Sequence, residues 1–344
     1  MIRFNCDYSE GAHERILKRL TETNMEQTPG YGEDHYCQKA ADVIRGLTGA
    51  PDAAVHFLVG GTQANLTVIS AALRPHQGVV AAHTAHVNVH ETGSIEAVGH
   101  KVLALPSDDG KINAGQVKAL YESHISDESF EHTVQPGMVY ISHPTELGTI
   151  YTKSELEALY QVCRDCGMYL FVDGARLAYG LEAQGNDVTL KDLAANSDVF
   201  YIGGTKVGLL FGEAVVITNE ALKKDFRYLI KQKGGMLAKG RLLGVQFEEL
   251  MKDGLYNEMG SHADRLADEL RSAFADKGYP FYVTNTTNQI FPVLPDAVLE
   301  SWKDKYTCTY QCRVDDTHSA VRFCTSWATR AEDVKALAED IRNS

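Results

Sequence analysis

The sequence predicts an α/β protein in which a mostly parallel sheet of seven strands lies between helices, followed by a smaller α+β region. Three observations predict it. Seven short runs rich in Val, Ile, Phe and Tyr recur at 54–59, 78–82, 101–105, 137–142, 168–172, 198–202 and 214–217, each of strand length. Helical stripes fill the intervals, and such alternation builds parallel sheets covered on both faces. Near residue 245 the alternation stops, giving way to a long helix around 259–277, short strands and a final helix opened by Thr329-Arg330-Ala331-Glu332. The expected division is a large domain over 1–245, including the N-terminal segment, and a small one over 246–344.

In chain order, Tyr36, Ala40, Val43, Ile44 and Leu47 form an apolar helical stripe that Gly49 stops. The first strand runs into Leu58-Val59-Gly60-Gly61-Thr62-Gln63-Ala64-Asn65, a turn that opens a helix with Leu66, Ile69 and Leu73 on its inner face. Thr152-Lys153-Ser154-Glu155 is a capping box, followed by Leu156, Leu159, Tyr160 and Cys163 at one-face spacing and by Gly167 at the expected stop. Cys163 and Cys166 have the spacing of a redox or metal pair, but they fall inside this helix and no second pair accompanies them.

At 344 residues the chain can bury a large core, and 44% hydrophobic with 23% charged residues is the balance of a globular enzyme. A formal charge of −13 excludes a nucleic-acid or anionic-membrane surface, which needs a basic footprint. No apolar run approaches a bilayer span, and Met1-Ile2-Arg3-Phe4-Asn5-Cys6-Asp7 has no apolar signal segment. Seven scattered cysteines suit reduced thiols. A cytoplasmic location is expected.

Chemistry is concentrated in Phe171-Val172-Asp173-Gly174-Ala175-Arg176 and Tyr201-Ile202-Gly203-Gly204-Thr205-Lys206. Each is an apolar strand that ends in charge, so Asp173, Arg176 and Lys206 emerge together at the carboxyl edge of a parallel sheet. Pyridoxal phosphate asks for this trio: an amine to hold its aldehyde, and a carboxylate to keep its pyridine nitrogen protonated. Gly60, Gly61 and Thr62 at a helix start would offer backbone amides to its phosphate. His83, His86 and His90 are open to three readings: metal ligands, a ring stacked on the cofactor, or a wet loop. Arg176 and Arg322 have the fork geometry that binds a substrate carboxylate.

With these residues in order, the chain resembles the low-specificity L-threonine aldolases, within the β-eliminating lyase group of fold-type I pyridoxal-phosphate enzymes. The resemblance runs from Asn5-Cys6-Asp7 through Gly30-Tyr31-Gly32-Glu33-Asp34, Gly61-Thr62-Gln63-Ala64-Asn65, His86 with Glu91, Asp173-Gly174-Ala175-Arg176 and Lys206 to Arg322. It implies that Lys206 carries the coenzyme, Asp173 pairs with the pyridine nitrogen and His86 stacks on the ring. Gly60, Gly61, Thr62 and Thr205 would complete the cofactor site. Arg176 and Arg322 would hold the substrate carboxylate beside Cys6, and Tyr31 would arrive from a neighbouring subunit of a homodimer or homotetramer.

Four departures from the family pattern bear on specificity. Cys6 replaces the usual Ser, and Glu146 stands where many members place a His against the β-hydroxyl, with His143 three positions earlier. Gly203-Gly204-Thr205-Lys206-Val207-Gly208 replaces the usual sequence around the lysine. Leu237 stands where an Arg often reaches the partner's phosphate, with Lys239 and Arg241 near by to compensate. The expected reaction is retro-aldol cleavage of L-threonine or L-allo-threonine to glycine and an aldehyde, with His86 or Glu146 taking the β-hydroxyl proton. The rival reactions are β-elimination, transamination or racemisation with the same cofactor, and a metal-dependent hydrolase built on His83, His86 and His90.

Overall fold

The computed structural model describes all 344 residues. The seven expected strands form one sheet: β1 (Ala54–Leu58), β2 (Gln77–Ala82), β3 (Val102–Leu105), β4 (Gln135–Ser142), β5 (Tyr169–Asp173), β6 (Val199–Gly203) and β7 (Glu213–Ile217). Their order across it is β1-β7-β6-β5-β4-β2-β3. From β3 to β6 the neighbours are parallel, while β7 is antiparallel to both β6 and β1. Residues 204–212 link β6 to β7, too short a segment for the crossover of about a dozen residues that a parallel partner requires. The chain therefore turns back, and the sheet is mixed at that side.

Helices cover the sheet. They include α1 (His35–Thr48), α2 (Gly61–Ala72), α3 (His86–Val89), α4 (Lys153–Asp165) and α5 (Leu177–Glu182). The capping box at Thr152 is made in both directions with Glu155, and Gly49 closes α1 with φ of 64°, a left-handed turn that favours glycine. Cys163 is a core residue of α4. The long α6 (Leu255–Lys277) belongs to two apolar cores. Its Leu255, Tyr256, Met259 and Ala263 pack into the cluster around the large sheet. Leu266, Ala267, Leu270, Ala273 and Phe274 pack into a second cluster with Phe4, Phe323 and Ile341.

That second cluster lies against β8 (Gln289–Ile290), β9 (Val293–Pro295), β10 (Thr309–Arg313) and β11 (His318–Cys324), which pair antiparallel around β11. The last helix, α7 (Ala331–Asn343), starts from Arg330 without a side-chain cap. The hydroxyl of Thr329, expected to open it, instead accepts the Ser326 N–H at 2.8 Å. At the other terminus Ile2 and Arg3 pair in parallel with Tyr306 and Thr307, and Phe4 O accepts the Cys324 N–H at 2.7 Å. These bonds lead the chain start along the smaller sheet and bring Asn5, Cys6 and Asp7 to the large one. No helix is long and apolar enough to cross a membrane.

Candidate active site

Asp173 ends β5 at the carboxyl edge and is buried. Its Oδ2 accepts Tyr140 Oη at 2.5 Å and Asn65 Nδ2 at 3.1 Å, and its Oδ1 accepts the Ala175 N–H at 2.9 Å. A Cβ on Gly174 would lie 1.9 Å from the Tyr201 carbonyl oxygen, so only glycine lets the turn after β5 close against β6. Lys206 follows β6 by three positions, and its own carbonyl is fixed by Tyr179 Oη at 2.6 Å. Burial, reinforced by the positive charge of Arg176, lowers the Lys206 ammonium pKa against the opposing pull of Asp7, Asp173 and Glu213. The amine is thereby made easier to deprotonate and more nucleophilic. Thr205 faces the other way: its hydroxyl accepts the Gly212 N–H at 3.0 Å and donates to Glu213 Oε1 at 2.8 Å. It thereby ties the lysine-bearing turn to the sheet.

From Asp173 a chain of hydrogen bonds leads to His86. Asn65 Nδ2 also reaches Glu91 Oε1 at 2.7 Å, and the same oxygen lies 2.7 Å from His86 Nδ1. Ser94 Oγ occupies Glu91 Oε2 at 2.7 Å. The Glu91 side chain is fully buried while the His86 ring is partly open, so a fixed acceptor sets Nδ1 as the protonated nitrogen and leaves Nε2 facing outward. Glu146 lies beneath this helix start. Its Oε1 accepts the His86 N–H at 2.8 Å and Ser142 Oγ at 2.6 Å, and burial raises its pKa, with Asp173 adding to the rise.

The other histidines are used differently. His83 Nδ1 accepts the Ser107 N–H at 3.2 Å. His143 is buried, accepts the Tyr151 N–H at 3.3 Å and is pushed down to about 4, hence neutral. His90 lies with its ring 5.7 Å from that of His86. No group of three His, Cys, Asp or Glu side chains is placed to hold a metal ion.

Arg176 does not present a free fork. Its Nε and Nη2 bind Asp7 Oδ2 and Oδ1 at 2.7 and 3.0 Å, leaving Nη1 for a ligand. Burial works against the charge on Asp7, but Arg176 and Lys206 outweigh it and hold the carboxyl down at about 2. Arg322, on β11, gives Nη1 to Gln289 Oε1 at 3.2 Å and Nη2 to the Asn5 carbonyl at 3.1 Å, while its buried Nε has no partner. Cys6 Sγ lies 3.2 Å from Ser9 Oγ. The hydroxyl missing at position 6 therefore exists three residues on, bonded to the thiol.

Gly60 caps α2 with extended backbone and no side-chain bond, so the first amides of the helix stay free for an anion. A Cβ on Gly61 would come to 3.0 Å from Tyr201 Oη, a buried hydroxyl without a partner, and Thr62 beside it is exposed. Tyr31 is 46% exposed and lines a separate cleft of about 230 Å³ with Arg227, Met236 and Leu237; neither Lys206 nor Asp173 lines it. Arg241 gives its guanidinium to the Glu26 and Thr23 carbonyls.

Sequence reasoning missed Tyr140 and Asp7 as supporting groups, and gave Asn65 no role of its own. Free amides at Gly60 and Gly61, the orphaned Tyr201 hydroxyl, a buried carboxylate at Asp173 and a half-buried amine at Lys206 fit the phosphate, ring nitrogen and aldehyde of pyridoxal phosphate. Known proteins resemble the chain over nearly its whole length. Residues 7–341 match the model of the beta-eliminating lyase family. A low-specificity L-threonine aldolase from a Pseudomonas species is 31% identical, over 99% of this chain and 97% of the relative. A Leishmania major threonine aldolase structure superposes with a TM-score of 0.97 at 43% identity, covering 100% of this chain and 99% of that one. An aspartate aminotransferase from Thermus thermophilus shares the fold at 13% identity, with a TM-score of 0.72 over 100% of this chain and 91% of that one.

Proposed function

The chain belongs to the beta-eliminating lyase family, and from that premise we propose that it is a pyridoxal-phosphate-dependent aldolase cleaving L-threonine and L-allo-threonine to glycine and acetaldehyde. The observation that carries this reading is Asp173, buried and triply hydrogen-bonded on β5, with Lys206 on the turn after the adjacent strand. Bound there, pyridoxal phosphate supplies a carbonyl that condenses with amines and a ring that accepts the electron pair of a breaking Cα–Cβ bond.

This chain's residues do the rest. Lys206 offers an amine whose proton burial and Arg176 weaken. Asp173, kept in place by Asn65, Tyr140 and the Ala175 amide, would hold a proton on the ring nitrogen. Nη1 of Arg176 and Nε of Arg322 are the cationic donors left for the substrate carboxylate. His86 would help to hold the ring, and with Nδ1 donated to Glu91 its Nε2 lone pair would be free to take the β-hydroxyl proton. Glu146 supports it through the His86 amide. Tyr31 reaches the site of a second copy in a homodimer or homotetramer. All seven cysteines are free, which supports a cytoplasmic location.

Incubation with L-threonine, L-allo-threonine and L-serine, with assays for acetaldehyde, pyruvate and glycine, tests the reading. Acetaldehyde and glycine in equal amounts are expected, and pyruvate without acetaldehyde rejects it. The purified protein is expected to be yellow, with a band that borohydride abolishes and that Lys206→Ala lacks.

A further inference from the structure

Glu213 begins β7 at the edge where Asp173 and Lys206 emerge, and no step above uses it. Its register partner across the antiparallel pair is Gly203, three positions before Lys206. The side chain is buried. Oε1 accepts the Thr205 hydroxyl at 2.8 Å, and Thr205 accepts the Gly212 N–H at 3.0 Å, so a single hydroxyl ties the lysine-bearing turn to the next strand. Oε2 is buried with no hydrogen-bond partner. A buried carboxylate oxygen without a donor is strongly disfavoured, and a carboxyl so placed keeps its proton.

We infer that Glu213 is a positioning residue for Lys206: its carboxyl anchors the Thr205 turn, and its proton, exchanged with solvent, decides whether a negative charge stands beside the amine. The inference rests on Lys206 being the amine that carries the coenzyme. The groups facing Glu213 are Thr205 and Lys206 on the turn, Tyr201 on β6, Asp173 on β5 and Tyr256 on α6. Burial, with Asp173 adding to it, pushes Glu213 up to about 8 against the pull of the Thr205 hydrogen bond and of Lys206. Below that value the carboxyl is neutral, and burial and Arg176, which favour the uncharged amine, are opposed by Asp7 and Asp173 alone. Above it, a carboxylate appears that favours a proton on the Lys206 nitrogen.

Two measurements on the coenzyme-bound protein test this. Infrared difference spectra from neutral to alkaline pH are expected to show a protonated-carboxyl band that disappears as Glu213 ionises and that is absent from Glu213→Gln. The visible band is expected to change form at lower pH in Glu213→Gln than in wild type, by roughly one pH unit, and Glu213→Asp should restore the wild-type position at least in part. Thr205→Val, which cuts the anchor but keeps the carboxyl, should retain the infrared band. A wild type without that infrared band, or a visible transition that Glu213→Gln leaves unmoved, overturns the inference alone. A wild type with no borohydride-sensitive visible band overturns it together with the proposed function.

Discussion

Asp7 and Arg176, 169 positions apart, meet in a two-point fork with Nε to Oδ2 at 2.7 Å and Nη2 to Oδ1 at 3.0 Å. Asn288 Nδ2 adds a third bond to Asp7 at 3.0 Å, so the N-terminal segment, the large sheet and the smaller sheet are tied at one carboxylate. Asp7→Ala leaves a buried guanidinium unpaired, and a loss of about 3–5 kcal/mol is expected in urea unfolding. The pH sign follows from a folded-state pKa of about 2, below the unfolded value of about 3.9. Stability from the pair is present above that unfolded value and disappears as pH falls toward about 2. Wild type should therefore carry an acid-unfolding component that Asp7→Ala lacks.

Glu91 controls which nitrogen of His86 carries the proton. Its Oε1 takes both Asn65 and His86 at 2.7 Å, a geometry that needs an acceptor with no hydrogen of its own. Glu91→Gln removes the charge and leaves His86 free to exchange tautomers. A fall in kcat of about tenfold or more is expected, with KM for L-threonine little changed because Glu91 is fully buried and acts through His86. A rise in KM with kcat intact would assign Glu91 to binding instead.

How much of this was legible in the sequence varies by residue. Asp173 and Lys206 stood out because each ends an apolar strand, and strand ends are where a parallel sheet exposes function. Tyr140 did not, since in sequence it is one more aromatic in a buried run. Only the pairing of β4 with β5, which sets Ser142 opposite Asp173 and Tyr140 opposite Phe171, lets its hydroxyl reach the carboxylate. Asp7 was visible as part of a motif, yet its partner is fixed by packing over 169 positions. The Thr205 hydroxyl turns back to Glu213 on the next strand. A single strand pattern does not reveal that reversal.

Asp264 on α6 offers a test of burial without compensation. Both its carboxylate oxygens are buried and unpartnered. Burial, with Asp268 adding to it and Arg271 opposing, pushes it up to about 9. Because the folded value lies above the unfolded one, its contribution is fully present below about 3.9 and is lost as pH rises toward the folded value. Asp264→Asn removes the titration. At neutral pH the variant is expected to be as stable as wild type or more so, by up to about 3 kcal/mol. The gap should narrow as pH falls; thermal melts across that range in which the gap stays constant would refute the buried-acid account.

Tyr31 combines exposure with an unusual backbone. Its φ is 61°, a left-handed conformation that costs a bulky residue about 1 kcal/mol or more and is kept where a fixed direction is useful. Lys231 Nζ lies 4.8 Å from the ring centroid, and Arg227 Nη2 holds the Tyr31 carbonyl at 3.3 Å, so the ring is aimed outward from its own chain. If it completes the site of a partner, Tyr31→Ala and Lys206→Ala damage opposite halves of each interface. Each variant alone is expected to be severely impaired. Equal co-expression gives hybrids in which one site receives both lesions and the other receives neither, and a closed two-fold arrangement then restores about a quarter of wild-type specific activity. No restoration in hybrids shown to have formed would mean that Tyr31 serves its own chain, and the shared-site assembly would have to be abandoned.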